Sequence, residues 1–216
     1  MVHILGNQNS LLNQYIAEVR DIEIQKDSMR FRKNMERLGE IFAYEISKHL
    51  LWEDKEVITS LGEANCRVLK EQPVIATILR AGLPMHNGLL NFFDQAENSF
   101  ISAYRKHHKN GSFTIQVEYA SCPLLDNKIL ILSDPMLATG GSMVLTYKEL
   151  LSKGKPLHTH IVSILASVEG VEHVKKHLPS GSFTMWLGAV DDELTAKGYI
   201  VPGLGDAGDL AFGNKL

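Results

Sequence analysis

Short apolar runs alternating with segments of helical period constrain this chain more than any other feature. PVIATILR (73–80), SFISAYR (99–105), KILILSD (128–134), HTHIVSILAS (158–167) and FTMWLGAV (183–190) read as strands, and 84–95, 141–153 and 168–178 read as helices. Strands that are apolar along nearly their whole length, with helices between them, belong to parallel sheets covered on both faces. The expected fold is α/β, with a central mostly parallel sheet of about five strands flanked by helices. In such sheets ligands bind where the carboxyl ends of strands lead into helices. The residues just after Leu79, Tyr104 and Leu132 are therefore the first places to look for chemistry, together with the tail.

Two further segments frame this pattern. Phe31, Met35, Leu38, Phe42 and Ile46 lie on one face of a helix over 28–50, with Asp27 or Ser28 as N-cap, packing on the core or on a partner subunit. Residues 106–120 alternate polar and apolar from Ser112 to Tyr119 and read as a hairpin or arm leaving the sheet. No repeat, low-complexity tract or linker divides the 216 residues, so 1–216 is read as one domain.

Composition removes several function classes. With 22 Lys and Arg against 25 Asp and Glu the formal charge is −3, which speaks against a nucleic-acid binder. Cys66 and Cys122, the two cysteines, are too few for a disulfide framework or a structural zinc site. MVHILGNQNSLL carries no secretory signal, and PLHTHIVSILASV is too short and polar to span a bilayer, so a cytoplasmic protein without membrane partners is expected. Among nine histidines, His107 and His108 fall in the basic run RKHHK, while His158 and His160 share one strand face. No histidine spacing matches a metal site, so solvated or core-edge roles are expected for them.

The strongest local signal is ILILSDPMLATGGSM (129–143), an apolar strand ending at Asp134, a loop rich in Gly and Thr, and a helix from Ser142. This is the chemistry of an anion site. Gly140 and Gly141 allow close backbone approach to a phosphate, Thr139 and Ser142 add hydroxyl donors, and the helix N-terminus supplies positive potential. Asp134 can accept hydrogen bonds from sugar hydroxyls or hold hydrated magnesium. Arg80 and Arg105 end adjacent predicted strands, where forked guanidinium groups suit a pyrophosphate. In the tail, Gly203, Gly205 and Gly208 satisfy G-x-G-x-x-G, but only eight residues follow, which excludes a dinucleotide βαβ unit. A glycine-rich backbone exposed to a small ligand is the better reading there.

The run DPMLATGGS (134–142) resembles the phosphoribosyl-pyrophosphate loop of type I phosphoribosyltransferases, and its Pro-Met-Leu-Ala stretch is similar to that of the uracil-specific family. RFRKNMERLGEIFAYEIS (30–47), ILRAGLPMHNGLL (78–90) and GYIVPGLGDAGDLAFG (198–213) agree in order and spacing, so the resemblance spans nearly the whole chain. It implies transfer of the phosphoribosyl group of 5-phosphoribosyl 1-pyrophosphate to uracil, giving UMP and pyrophosphate. It also implies a hood formed by the N-terminal helices, the 106–120 arm and the tail.

By this resemblance Arg80, Arg105, Asp134, Pro135, Met136, Leu137, Ala138, Thr139, Gly140, Gly141, Ser142 and Asp206 would bind the ribose pyrophosphate. Ile200, Gly205, Asp206 and Ala207 would bind uracil, and Asp134, Arg80, Arg105 and Asp206 would act in catalysis. Magnesium would be held through substrate and water rather than by a protein ligand set. A homodimer or homotetramer is implied, with GTP a candidate effector because it activates some relatives. The chain departs from the family at Pro84, Ser133, Leu210, Asn214 and the arm KHHKNGSF. Two alternatives stand beside this reading: a non-catalytic regulator on the same fold, and a transferase for orotate or a purine. Leu210 weighs against orotate, because it removes the nearest tail cation for that carboxylate.

Overall fold

The computed structural model describes the backbone of residues 1–107 and 113–214, and the side chains of the same residues except 103–107 and 113–117. In chain order the elements are β1 (Val2–Ile4), α1 (Leu11–Arg20), α2 (Ser28–Ser47), β2 (Trp52–Thr59), β3 (Gly62–Leu69), β4 (Val74–Leu79), α3 (Leu83–Phe92), β5 (Glu97–His107) and β6 (Phe113–Ser121). They continue with β7 (Ile129–Ser133), β8 (Met136–Leu137), α4 (Gly141–Leu150), β9 (His158–Ser167), α5 (Val168–His177), β10 (Phe183–Asp191), β11 (Glu193–Leu194), β12 (Ile200–Val201) and α6 (Ala207–Phe212).

The main sheet has eight strands in the order β1-β10-β9-β7-β4-β5-β6, with β8 alongside β9. Every pairing in it is parallel except β5 with β6. The five expected strands form its centre. The count of about five falls short because β1 and β8 are two- or three-residue strands, too short to show a period. Of the expected 106–120 arm, residues 108–112 lie outside the described residues; the rest falls on β5 and β6, whose antiparallel pair closes one edge of the sheet beside α4.

The strands divide their side chains between two helical layers, as a pleat with period two requires. Ile131 faces the layer of α1, α2, α3 and α6, while Leu130 and Leu132 face α4 and α5. Phe31, Met35, Leu38, Phe42 and Ile46 are all fully or almost fully buried, so this face of α2 serves the core. Burying side chains of this size stabilises the fold by about 1.5–3 kcal/mol each. Asp27 caps α2, accepting from the Met29 and Arg30 amides at 3.0 Å. Glu18 on α1 ties the two helices together through Arg30 and Asn34 on α2, while Gln14 donates to it from within α1, and the Arg30 bond above all holds its carboxyl well down, at about 2.

Two family departures find local reasons. Pro84 sits in the first turn of α3, where a missing N–H costs nothing. Ser133 is fully buried, and its hydroxyl donates to the Ala76 carbonyl at 3.1 Å. Three histidines group at the core edge: His3 stacks on Trp186 with ring centroids 4.3 Å apart, His49 meets the same ring edge-on, and Trp186 Nε1 donates to His160 Nδ1 at 3.0 Å, while His108 and the His107 side chain lie outside the described residues. The β2–β3 hairpin is not foreshadowed by a period-two pattern, and it is exposed along nearly its whole length. Among the described residues no helix is long and apolar enough to cross a membrane.

Candidate functional site

Because β4, β7, β9 and β10 run parallel, their carboxyl ends share one edge of the sheet. Arg80, Asp134, Ser167 and Asp191 emerge there side by side, where an open α/β sheet offers its crevice.

Asp134 follows β7 directly, and its backbone is fixed on both sides: its N–H donates to the Val162 carbonyl at 3.0 Å and its carbonyl accepts from Ser163 Oγ at 2.6 Å. Its side chain turns back on the loop, with Oδ1 accepting from the Met136 amide at 3.2 Å. The Pro135 carbonyl accepts from the Ile164 and Leu165 amides, and Met136–Leu137 pair with β9. What reads as plain loop in sequence is therefore partly strand. Ala138 is held by Ser167 Oγ, which donates to its carbonyl at 2.6 Å and caps α5 by accepting from the Gly170 amide at 2.8 Å. Ser163 and Ser167 stand four residues apart on β9, and together they brace the loop at two points.

Gly140 closes the loop in the left-handed region at φ 77°, and α4 begins at the next residue. A Cβ there would come within 2.9 Å of the Gly170 carbonyl oxygen and 3.1 Å of His173 Cβ, so only glycine fits without movement. Asp134, Met136, Leu137, Ala138, Thr139, Gly140, Ser142 and Met143 line one small concavity. The first amides of α4 have no intrahelical acceptor, and they open at this concavity with the Thr139 and Ser142 hydroxyls beside them. Such a set of donors at a helix N-terminus binds a phosphate.

Arg80 follows β4, the neighbour of β7. Its Nη2 pairs with Asp209 Oδ1 at 2.9 Å and its Nη1 donates to the Gly213 carbonyl at 3.3 Å, so the strand end and the tail meet. Its Nε is buried and has no hydrogen-bond partner among the described residues. A buried donor of that kind is costly unless an acceptor arrives, which suits an anionic ligand. Asp206 caps α6, with Oδ1 accepting from the Asp209 amide at 3.0 Å. A Cβ on Gly208 would lie 3.2 Å from Asp206 Oδ1 and 3.6 Å from Arg80 Nη2, which gathers Arg80 and Asp206 in one place.

Of the tail residues, Ile200 and Ala207 are buried, while Gly205 is exposed with φ 95°. Leu210 joins Ile22, Gln25, Lys26, Leu204, Gly205 and Asp206 around an open recess, so the position that lacks the family cation is an apolar wall. The Arg105 backbone lies on β5 opposite Ile115, but its side chain and the residues 108–112 fall outside the described residues. No sequence motif marks Ser163, Ser167, Arg20 or Asp191. The serine pair on one face of HTHIVSILAS was the available signal for the first two. Among the described residues no three His, Cys, Asp or Glu side chains form a metal-holding group.

A sequence model of the family described as uracil phosphoribosyltransferase matches residues 6–214. The chain is 53% identical over 212 residues to the uracil phosphoribosyltransferase of Porphyromonas gingivalis, covering 98% of each chain. It is 37% identical to the protein of that name from Thermococcus gammatolerans, covering 94% of this chain and 89% of the relative. The solved structure of the AQ2163 protein from Aquifex aeolicus superposes with a TM-score of 0.87 at 31% identity, covering 99% of this chain and 98% of that one.

Proposed function

The chain belongs to the uracil phosphoribosyltransferase family and makes UMP from uracil and 5-phosphoribosyl 1-pyrophosphate, and we propose that it does so with the residues gathered at the carboxyl edge of its sheet. The reading rests on one observation above the rest: a braced anion loop, a part-buried arginine with an unpartnered donor and a glycine-rich tail meet on that edge.

The loop 138–142 takes the 5′-phosphate, with the first amides of α4 as donors. Pro135, Met136 and Leu137 form the bend that carries it, and Asp134 accepts from the ribose hydroxyls. Arg80 and Arg105 take the pyrophosphate, for which Arg80 leaves Asp209. The Ile200 carbonyl and the Gly205 and Ala207 amides read the donor and acceptors of uracil, and Asp206 sits where base and ribose pyrophosphate meet. Uracil N1 bonds to the anomeric carbon as the carbon–oxygen bond to pyrophosphate breaks, and the N1 proton is released. Negative charge grows on the leaving pyrophosphate, where preorganised guanidinium groups stabilise it, and the two reacting atoms gain from being held in line.

Magnesium fits this donor set as a substrate-borne ion: hard, oxygen-seeking, and content with one carboxylate and the phosphates themselves. When bound it supplies Lewis-acid neutralisation of the departing charge. The chain 1–216 acts as one domain in the cytoplasm, and no nucleic acid or membrane partner is needed for this chemistry. GTP is proposed as an effector, tested by adding it to the assay. A homodimer or homotetramer is proposed, with the β2–β3 hairpin as a contact: Ile58 and Leu61 are 85% and 98% exposed, and a lone two-stranded hairpin is marginal without a surface to lie on. Light scattering on the purified protein tests the assembly.

The function is tested by following uracil consumption with the ribose pyrophosphate and magnesium, with orotate, hypoxanthine and adenine as competing bases and EDTA as control. Turnover of uracil alone among the bases, lost with EDTA, is expected. Tight binding of the pyrophosphate with no turnover of any base would favour a regulator instead.

A further inference from the structure

One ion pair on the ligand edge is not used by the chemistry above. Arg20 ends α1 and Asp191 ends β10, and their side chains are 22% and 8% exposed. They form a closed fork, with Arg20 Nη2 to Asp191 Oδ1 at 2.7 Å and Arg20 Nη1 to Asp191 Oδ2 at 2.8 Å. Both partners also hold the same residue of the tail. Arg20 Nη1 donates to the Gly203 carbonyl at 3.0 Å, and Asp191 Oδ2 accepts from the Gly203 amide at 3.0 Å. Burial alone would raise the Asp191 pKa, but the bonds from Arg20 and the Gly203 amide outweigh it and hold the carboxyl below its ordinary value. The pair is therefore charged when it grips the backbone.

Gly203 stands between the groups proposed to read the base. Ile200 lies three residues before it, and Gly205 and Ala207 lie two and four residues after it. Its φ is +55°, and a Cβ there would press on the Ile200 carbonyl oxygen, so the turn brings its own backbone against the group that is to accept from uracil. A fork that fixes both the N–H and the C=O of one residue sets where the chain enters and leaves that turn. Charge-assisted, two-point contacts of this kind are the strong and directional ones. The Gln25 side chain donates to the Arg20 carbonyl at 3.1 Å, which holds the arginine's own backbone.

We infer that Arg20 and Asp191 are positioning residues for base recognition: they clamp Gly203 and so aim the Ile200 carbonyl and the Gly205 and Ala207 amides at uracil. The inference rests on the tail being the base site. It gives α1, which supplies no group to either substrate, a part in selecting one of them.

The test is steady-state kinetics with both substrates varied, on the wild-type chain and on Arg20→Lys, Asp191→Asn and Gly203→Ala. Lysine keeps the charge but cannot reach two carboxylate oxygens and a carbonyl in a fixed fork. Gly203→Ala disturbs the same turn without touching the ion pair. In all three the uracil KM should rise about tenfold to a hundredfold, the order expected from an ångström of misplacement, with the ribose pyrophosphate KM within about twofold of wild type. A uracil KM unchanged in folded Arg20→Lys or Asp191→Asn would overturn the inference. So would equal changes in both KM values, or failure of both ion-pair variants to fold, since either marks the pair as merely structural. A wild-type chain that turns over no uracil would instead overturn the base reading itself, which keeps the two failures apart.

Discussion

Gly140→Ala is the sharpest single perturbation of the anion loop. The residue sits at φ 77°, where a non-glycine residue costs about 1–2 kcal/mol. The new Cβ would also lie 2.9 Å from the Gly170 carbonyl oxygen and 3.2 Å from His173 Cδ2, so the loop and the start of α5 must part. Neither neighbour can give cheaply, because the Gly170 amide is already tied to Ser167, and Ser167 to Ala138. With about 1 kcal/mol for that separation, the strain totals about 2–3 kcal/mol. It is relieved either as lost stability or as a displaced phosphate site. For a chain of this size 1 kcal/mol is worth about 2–4 °C, so the full strain corresponds to about 4–12 °C in Tm. Expressed in binding instead, each 1.4 kcal/mol is about tenfold, which gives a rise of about 30- to 140-fold in the KM for the ribose pyrophosphate. Calorimetry and steady-state kinetics on one preparation read both outcomes. A variant with wild-type Tm and wild-type KM would refute the left-handed loop geometry and with it the proposed phosphate cradle.

The remaining predictions concern the base site, the arginine and the buried histidine. Asp206→Asn should lower kcat/KM at least about tenfold if the carboxylate faces the reacting centre, as its place at the α6 N-cap near Arg80 implies, and an unchanged value would remove it from the site. Arg80→Lys should weaken pyrophosphate inhibition about tenfold or more, because an ammonium replaces a fork by a point charge; equal inhibition of the two proteins would refute the contact. His160 is buried with the His158 ring 5.0 Å away, and burial first, then the charges of His158, His49 and His3, lower its pKa from 6.5 to about 3. Below about pH 6.5 the unfolded chain takes up a proton that the folded chain refuses, so between about pH 6 and 4.5 wild type should lose about 2 kcal/mol of stability relative to His160→Gln. Urea titrations followed by tryptophan fluorescence measure this, and parallel curves for the two proteins would refute it.

How far the sequence carried the structure follows from which interactions are local. The central strands, the α2 face from Phe31 to Ile46 and the strand–loop–helix at 129–143 are periodic or motif-bearing over a few residues, and each forms as expected. The boundaries are less legible. The loop after Asp134 contains β8 because β9 offers Leu165 and Ala166 as partners, a pairing that no local pattern announces. The β2–β3 hairpin shows no clean alternation because almost none of it is buried within the chain.

Within the site, Asp134, Gly140 and Arg80 could be picked out from residue chemistry at predicted strand ends. The groups that hold them could not. Ser167 grips the loop across 29 residues of sequence, and the Arg20–Asp191 pair spans 171. Such contacts exist only once the sheet has brought strand ends together. The same holds for Arg80, whose Asp209 partner is 129 residues away.

A crystal structure with UMP bound tests the central claim most directly, since the product carries both the phosphate and the base. The expected result has the 5′-phosphate within hydrogen-bonding distance of the amides of 139–142, the ribose hydroxyls on Asp134, and the uracil edge on the Ile200 carbonyl and the Gly205 and Ala207 amides. A phosphate bound away from the 134–142 loop, or a base that never meets the tail, would contradict it.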